Sequence, residues 1–477
     1  LRSLFLIAFL ATLIFLQING EKIPVNEGAF GDGVFYRSVG QTFLESIEAQ
    51  GYNLVQLTRM LPFAVLNLSF STFHIVKDFE GMRNGMIIWQ VIYLALAIYW
   101  YFKICKKLRL KTPILTLGFI LLFFNFTWLK EFWYHPFSPD GLAFALGMGQ
   151  TNYFLRYEKF KLGLVSLLGI FVSPLLLISG LLMLFLPGDK LIPYSDKRPP
   201  SAFPVMLAFA IAVFLAVFGW GIWGWGAKPW LDQVLYVLSI VAIFPLIIGM
   251  AKRNPIDWEA SIILFRKKTK PDRLSKGIMV FAAILLVLVL LSGKNETLGI
   301  GQLIRERGSG TFRFPLDFIL GLGLQWGLAI VLTGIYLPRF ADELGNLGWA
   351  AVISLGLGMV LLPYFGALSM AAWTPLWIII LIKGIKRYHW GNKDLLLMGA
   401  FALLFSLAWL PLNSSELATW LAMPNAETAH SLSIQKFAIH WEDYRNWTAY
   451  LIALTAFALV TYFLLLRRKR YQRVLTG

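Results

Sequence analysis

Apolar runs of membrane-spanning length alternate along this chain with short polar breaks, many of them basic. Behind Arg2 the first run covers residues 4–15 and continues to Ile18. No small-x-small pattern follows, and Gln17-Ile18-Asn19-Gly20 makes a poor cleavage site, so the run reads as an uncleaved spanning helix. Residues 21–85 form the largest polar segment. In it Phe35, Val39, Phe43 and Ile47 recur at helical spacing with Arg37, Gln41, Glu45 and Glu48 on other faces, which predicts a helix lying flat at an interface. A second such run, Leu54, Leu57, Leu61 and Val65, carries Arg59.

Further apolar runs cover 86–102, 114–129, 142–155, 203–225, 230–250, 278–291, 316–337, 395–412 and 448–466. The run 349–382 is too long for one span at about 20 residues each, and Pro363 with the 366–373 region predicts a break in it. The run 162–186 is read as two short helices broken near Ser173-Pro174. That break keeps the basic loop 251–277, with Arg266, Lys267, Lys268, Lys270 and Arg273, on the same side as the other basic clusters. Irregular backbone at membrane depth needs cover from protein or a water-filled cavity. The expected fold is an all-α polytopic transmembrane helical bundle, a single integral membrane domain over 1–477 with about 12 to 14 spans, some broken. Both termini are cytoplasmic in this topology, and residues 21–85, 293–315 and 413–447 form external loops.

Composition supports the membrane assignment. The 477 residues are 58% hydrophobic and 14% charged, against about a quarter charged in soluble domains, and the mean hydropathy is +0.66. The net charge of +17 lies in short clusters between apolar runs, as the positive-inside bias produces, which argues for membrane lipids and against nucleic acid as partners. The single cysteine, Cys105, excludes an internal disulfide and a cysteine-based metal site. Nor is there a glycine-rich phosphate loop of the kind a soluble nucleotide-sugar site uses.

Candidate chemistry begins at Ala29-Phe30-Gly31-Asp32-Gly33-Val34-Phe35-Tyr36. An acid between two glycines just past a membrane helix stands where a base acting on lipid-linked substrates is needed. A turn aspartate with Gly33 at positive φ is the plain alternative. Asp140, in Pro139-Asp140-Gly141, suits a second carboxylate, and it or Ser138 equally suits a cap on the following helix. Glu131 and His135 are substrate-contact candidates on the aromatic turn before it, a turn that also suits an interfacial belt. Arg305, Arg307 and Arg313 fall outside on this topology, against the general bias. With Arg37 and Arg59 they offer the cationic fork that a phosphate leaving group needs; anchoring to anionic head groups is the alternative.

The string Asp32-Gly33-Val34-Phe35-Tyr36 is similar to the Asp-Gly-x-x-Tyr pattern in the first loop of several polyprenyl-phosphate-dependent glycosyltransferases of the GT-C superfamily. The stretch from Pro136-Phe137-Ser138-Pro139-Asp140-Gly141-Leu142 to Tyr153-Phe154-Leu155-Arg156 resembles their fourth span, and the break at Ser173-Pro174 their interrupted fifth and sixth. The resemblance covers the part of the chain before Lys190 and implies a transfer of sugar from a polyprenyl-phosphate donor to an acceptor at the outer face of a bacterial inner membrane. It implies Asp32 as the base and Asp140 as a second carboxylate. It fixes no cofactor and leaves a divalent metal open, because no acidic pair adjoins Asp32 and its nearest acidic neighbour is Glu27. A transporter or flippase for a lipid-linked or hydrophobic substrate, and a cell-surface polysaccharide polymerase or ligase, are the alternatives. A transporter would place ionisable residues inside its spans.

Overall fold

The computed structural model describes residues 2–50, 52–193, 256–292, 325–365, 368–413 and 458–465, with isolated positions elsewhere. The loop 293–315, with Arg305, Arg307 and Arg313, lies outside the described residues, as do nearly all of the loop 413–447, most of the runs 203–225 and 230–250, and part of the run 448–466. Every described element is helical; apart from an isolated bridge between Pro193 and Ile256, no extended pairing occurs among the described residues. Two described helices, Phe79–Leu108 and Pro271–Leu291, are long and apolar enough to cross a membrane. The bent pair Thr112–Phe123 and Thr127–Tyr134, with 57° between its halves, makes a third if it is counted as one span and not as a re-entrant loop.

The chain opens with α1 (Arg2–Ile18), α2 (Asp32–Gln41), α3 (Phe43–Gln50), α4 (Leu54–Leu57) and α5 (Leu61–Thr72). Each of the two amphipathic runs is thus divided. The first breaks at Thr42, whose φ of −134° and ψ of 64° leave the helical region. The second breaks before Pro62, which sits in the first turn of α5, where its missing N–H is no loss. Then α6 (Phe79–Leu108) runs further in both directions than the apolar stretch 86–102. The Asp78 carboxylate starts it by accepting from the Gly81 amide at 2.7 Å. Lys106 and Lys107 in its last turn and a left-handed Arg109 end it.

The run 114–129 bends instead of crossing as one straight helix. α7 (Thr112–Phe123) stops at Phe124, a π-helical turn covers Thr127–Glu131, and α8 (Phe132–Tyr134) completes the arm. Asn125 satisfies the backbone at the break: its Oδ1 accepts from the Trp128 amide at 3.0 Å and its Nδ2 donates to the Leu122 carbonyl at 2.9 Å. The break expected near Ser173-Pro174 is present between α10 (Lys159–Gly169) and α11 (Pro174–Phe185), both packed on α9 (Asp140–Arg156). Gln150 of α9 joins them, donating to Ser166 Oγ at 3.0 Å and the Leu176 carbonyl at 2.6 Å and accepting from Ser179 at 2.7 Å. A buried amide with its partners supplied fixes the register of a hairpin that apolar packing alone would let slide.

The later described elements are α12 (Trp258–Lys268), α13 (Pro271–Leu291), α14 (Leu328–Ile335), α15 (Leu337–Leu347), α16 (Trp349–Phe365), a 3₁₀ turn Leu368–Ala372, α17 (Thr374–Ile385) and α18 (Asn392–Phe405). Pro363 lies within α16, and the second expected break falls after Phe365. Every residue of α17 is buried, as an all-round apolar helix requires. α15 is held to it by an ion pair of Glu343 with Lys383 at 3.3 Å.

Three chain segments meet where α1 ends. Lys130 pairs with Glu21 at 3.3 Å and donates to the Leu410 carbonyl at 3.2 Å. Glu21 accepts from the Leu412 and Asn413 amides, the latter at 2.9 Å, and Tyr134 donates to Asn413 Oδ1 at 2.9 Å. Burial alone would raise the Glu21 carboxyl, but the two amides and Lys130 outweigh it and hold the group below its ordinary value of 4.5. A carboxyl depressed on folding adds stability above its unfolded value and loses it as pH falls through the folded one. Stability of the parent is therefore expected to decline below pH 4.5, and Glu21→Gln to flatten that decline, as read by thermal unfolding in detergent across acid pH.

Candidate functional site

Asp32 is the first residue of α2 and is exposed. The residue before it explains the local geometry. Gly31 has φ +56° and ψ −134°, a conformation that L side chains avoid, whereas Gly33 is an ordinary helical residue. The left-handed glycine of this turn thus precedes the aspartate, correcting the expected positive φ at Gly33. Gly31→Ala is expected to cost about 1–3 kcal/mol of stability, by chemical or thermal unfolding, though no atom lies within 4 Å of the added Cβ.

Gly33 is required for a different reason. A Cβ there would stand 2.7 Å from His135 Nε2 and 3.4 Å from the Phe137 side chain, so the α2 backbone rests directly on the His135 turn. Burial pushes the His135 imidazole down to about 4, against the Phe30 carbonyl and the Asp32 charge, which both pull it up. His135 is accordingly neutral at pH 7, and its Nε2 is buried without a hydrogen-bond partner. α2 is held on its other side by α5: Tyr36 stacks on Phe63 at 4.6 Å, and Asn67 Nδ2 donates to the Gly40 and Gln41 carbonyls at 2.8 and 2.9 Å.

Behind this turn lie the other two acids. Asp140 opens α9 and Glu131 closes the π-helical turn; they are 7% and 4% exposed, and the Asp140 charge reaches Glu131. Arg59, in the turn between α4 and α5, acts electrostatically on Asp140. Ser138 donates its hydroxyl to Asp140 Oδ2 and accepts from the Asp140 amide at 3.3 Å. The N-cap position of α9 is Pro139, so neither Ser138 nor Asp140 is the N-cap, although the Ser138 hydroxyl takes the first amide of the helix from one residue further out. Gln90 of α6 donates to the Pro136 and Ser138 carbonyls, both at 3.3 Å, and fixes the turn that leads into Asp140.

Five sequence-derived candidates fall into two sets: Asp32 with His135, and Glu131 and Arg59 each with Asp140. Arg37 is separate from them. It is buried, donates to the Asn26 carbonyl and lies 4.3 Å over the Phe79 ring, which ties it to the turn before α2. The aromatic turn is not an interfacial belt either, since Phe132, Trp133, Tyr134 and Phe137 are all buried.

The sequence reading missed Lys130 and Gln90. Lys130 carried a signal, as one cation beside Glu131 in an aromatic run, but the π-helical turn that buries both has no counterpart in a 3.6-residue period. Among the described residues no group of three or more His, Cys, Asp or Glu side chains is arranged to hold a metal ion. The cluster can carry an exposed carboxylate, a neutral imidazole and a buried acid pair beside a guanidinium. Neither a family model, nor a curated protein, nor a solved structure matches this chain.

Proposed function

We propose that this chain is an integral membrane glycosyltransferase of GT-C type that moves a sugar from a polyprenyl-phosphate donor to an acceptor at the outer face of a bacterial inner membrane. The observation that supports this most is the exposed Asp32 at the head of α2, whose turn rests on His135, with Asp140 three residues beyond Phe137 on the same turn. In the proposed reaction the bond from the anomeric carbon to the lipid phosphate breaks and a bond to the acceptor oxygen forms. Asp32 takes the acceptor proton, and the phosphate leaves with the electron pair of the broken bond. Asp140 is the second carboxylate, and Arg59 with Arg305, Arg307 and Arg313 are the cations proposed for the leaving group. The polytopic topology of about 12 to 14 spans with both termini cytoplasmic belongs to the same proposal.

The burial of Lys130 and Glu131 inside the bent candidate span favours a second reading, a transporter or flippase for a lipid-linked substrate. One experiment separates the two. The purified protein is offered a panel of labelled polyprenyl-phosphate sugars with membrane acceptors, and in parallel is reconstituted in vesicles loaded with the same donors. Donor-dependent transfer that Asp32→Asn removes supports the transferase. Donor movement across the bilayer with no transfer on any donor replaces it with the transporter.

A further inference from the structure

A second site lies on a different face of the fold. α1, α7 and α18 border an open cavity of about 730 Å³, lined by Phe5, Phe9, Ile120, Phe124, Leu396 and Leu403 among others. That volume is within the range of about 300–1,000 Å³ typical of ligand pockets. Phe5 and Leu396 are 69% and 76% exposed, so the cavity opens on an apolar outer surface. The space beside Gly399 on the α18 side is open: a Cβ there would meet Ile120 only at 3.9 Å.

The three helices run in the same direction. Their C-terminal ends converge where Gln17 reaches the Ala408 carbonyl and Lys130 joins Glu21 to Leu410, so their N-terminal ends lie together at the opposite end. Two exposed lysines stand there, Lys111 just before α7 and Lys393 beside Asn392, which lines the cavity. Neither ammonium makes a hydrogen bond or ion pair among the described residues. Asp394, the acid beside Lys393, is buried and accepts from the Gly391 amide at 2.9 Å. An apolar slot with free cations at one end is complementary to a molecule with a hydrocarbon tail and an anionic head.

We infer that this cavity holds an acyl chain of an anionic bilayer phospholipid, with its phosphate between Lys111 and Lys393. The inference goes beyond the transferase reading and shares with it only the membrane-spanning fold. It is remote from Asp32, since Asp32 belongs with the Lys130 arm through His135 while the lysines lie at the other end of α7.

The test is native mass spectrometry of the full-length delipidated protein titrated with phosphatidylglycerol and with phosphatidylcholine of the same acyl chains. One phosphatidylglycerol is expected to be retained about tenfold more tightly than phosphatidylcholine, by the charge of two lysines near a membrane surface. Gly399→Leu, which fills the slot, is expected to remove that retained lipid while thermal unfolding stays that of the parent. The double variant Lys111→Gln, Lys393→Gln is expected to keep lipid and lose the preference. Equal retention of the two lipids by the parent overturns the inference, as does undiminished retention by a folded Gly399→Leu. Displacement of phosphatidylglycerol by a polyprenyl phosphate at equal concentration overturns it as well, by giving the slot to another lipid. No outcome depends on sugar transfer, so failure here and failure of the transferase reading are separately visible.

Discussion

Asp32→Asn is expected to lower sugar transfer by about 10²–10⁴-fold, the usual contribution of a positioned general base. The substitution keeps the size and shape of the side chain and removes its negative charge and with it its capacity to take a proton. Asp32 is exposed at the head of α2 and makes no side-chain hydrogen bond among the described residues, so the folded state loses little. Unfolding of the variant should match the parent within about 0.5 kcal/mol, as for most surface changes. Asp140→Asn makes the informative contrast. Asp140 is buried and receives the Ser138 hydroxyl, so that variant is expected to lose stability as well as transfer. A folded Asp32→Asn protein that transfers sugar at the parent's rate would remove Asp32 as the base and shift that role to Asp140.

Apolar period and break signals carried the helical elements a long way. Proline at the first turn of α11 and the length of the run 349–382 were enough to place both interruptions to within a few residues. What escaped was set by single side chains acting at a distance. The bend after α7 depends on Asn125 bridging the Leu122 carbonyl and the Trp128 amide, and one polar residue in an apolar run does not announce that job. Asp32, Glu131, His135, Asp140 and Arg59 were each legible as residues out of place in membrane sequence. Their grouping was not, because it arises from Gly33 resting on His135 and from the bent arm carrying Glu131 up to Asp140. Arg37 shows the converse. On a helical wheel it looks like a free interfacial cation, whereas in the fold it is buried against Asn26 and Phe79.

Gly147→Ala is expected to be among the most damaging single-methyl additions in the described fold. On α9, facing the 3₁₀ turn Leu368–Ala372, a Cβ at this position would stand 2.1 Å from the Ala372 carbonyl oxygen, 3.0 Å from its carbon and 3.3 Å from its Cα. All three are backbone atoms, so no rotamer change relieves the clash. Relief requires moving either α9, which begins at Asp140, or the turn that leads into the fully buried α17. Overpacking of this kind costs about 1–3 kcal/mol and sometimes more. Gly334→Ala is the matched control. It too adds one methyl to a helical glycine, but on α14, exposed and with no atom within 4 Å of the new Cβ. There the higher helix propensity of alanine acts alone and should add up to about 1 kcal/mol of stability. The two variants, compared by thermal unfolding in the same detergent, should move in opposite directions. A Gly147→Ala protein as stable as the parent would mean that α9 and the Leu368–Ala372 turn do not approach so closely, and would loosen the frame that holds Asp140 in place.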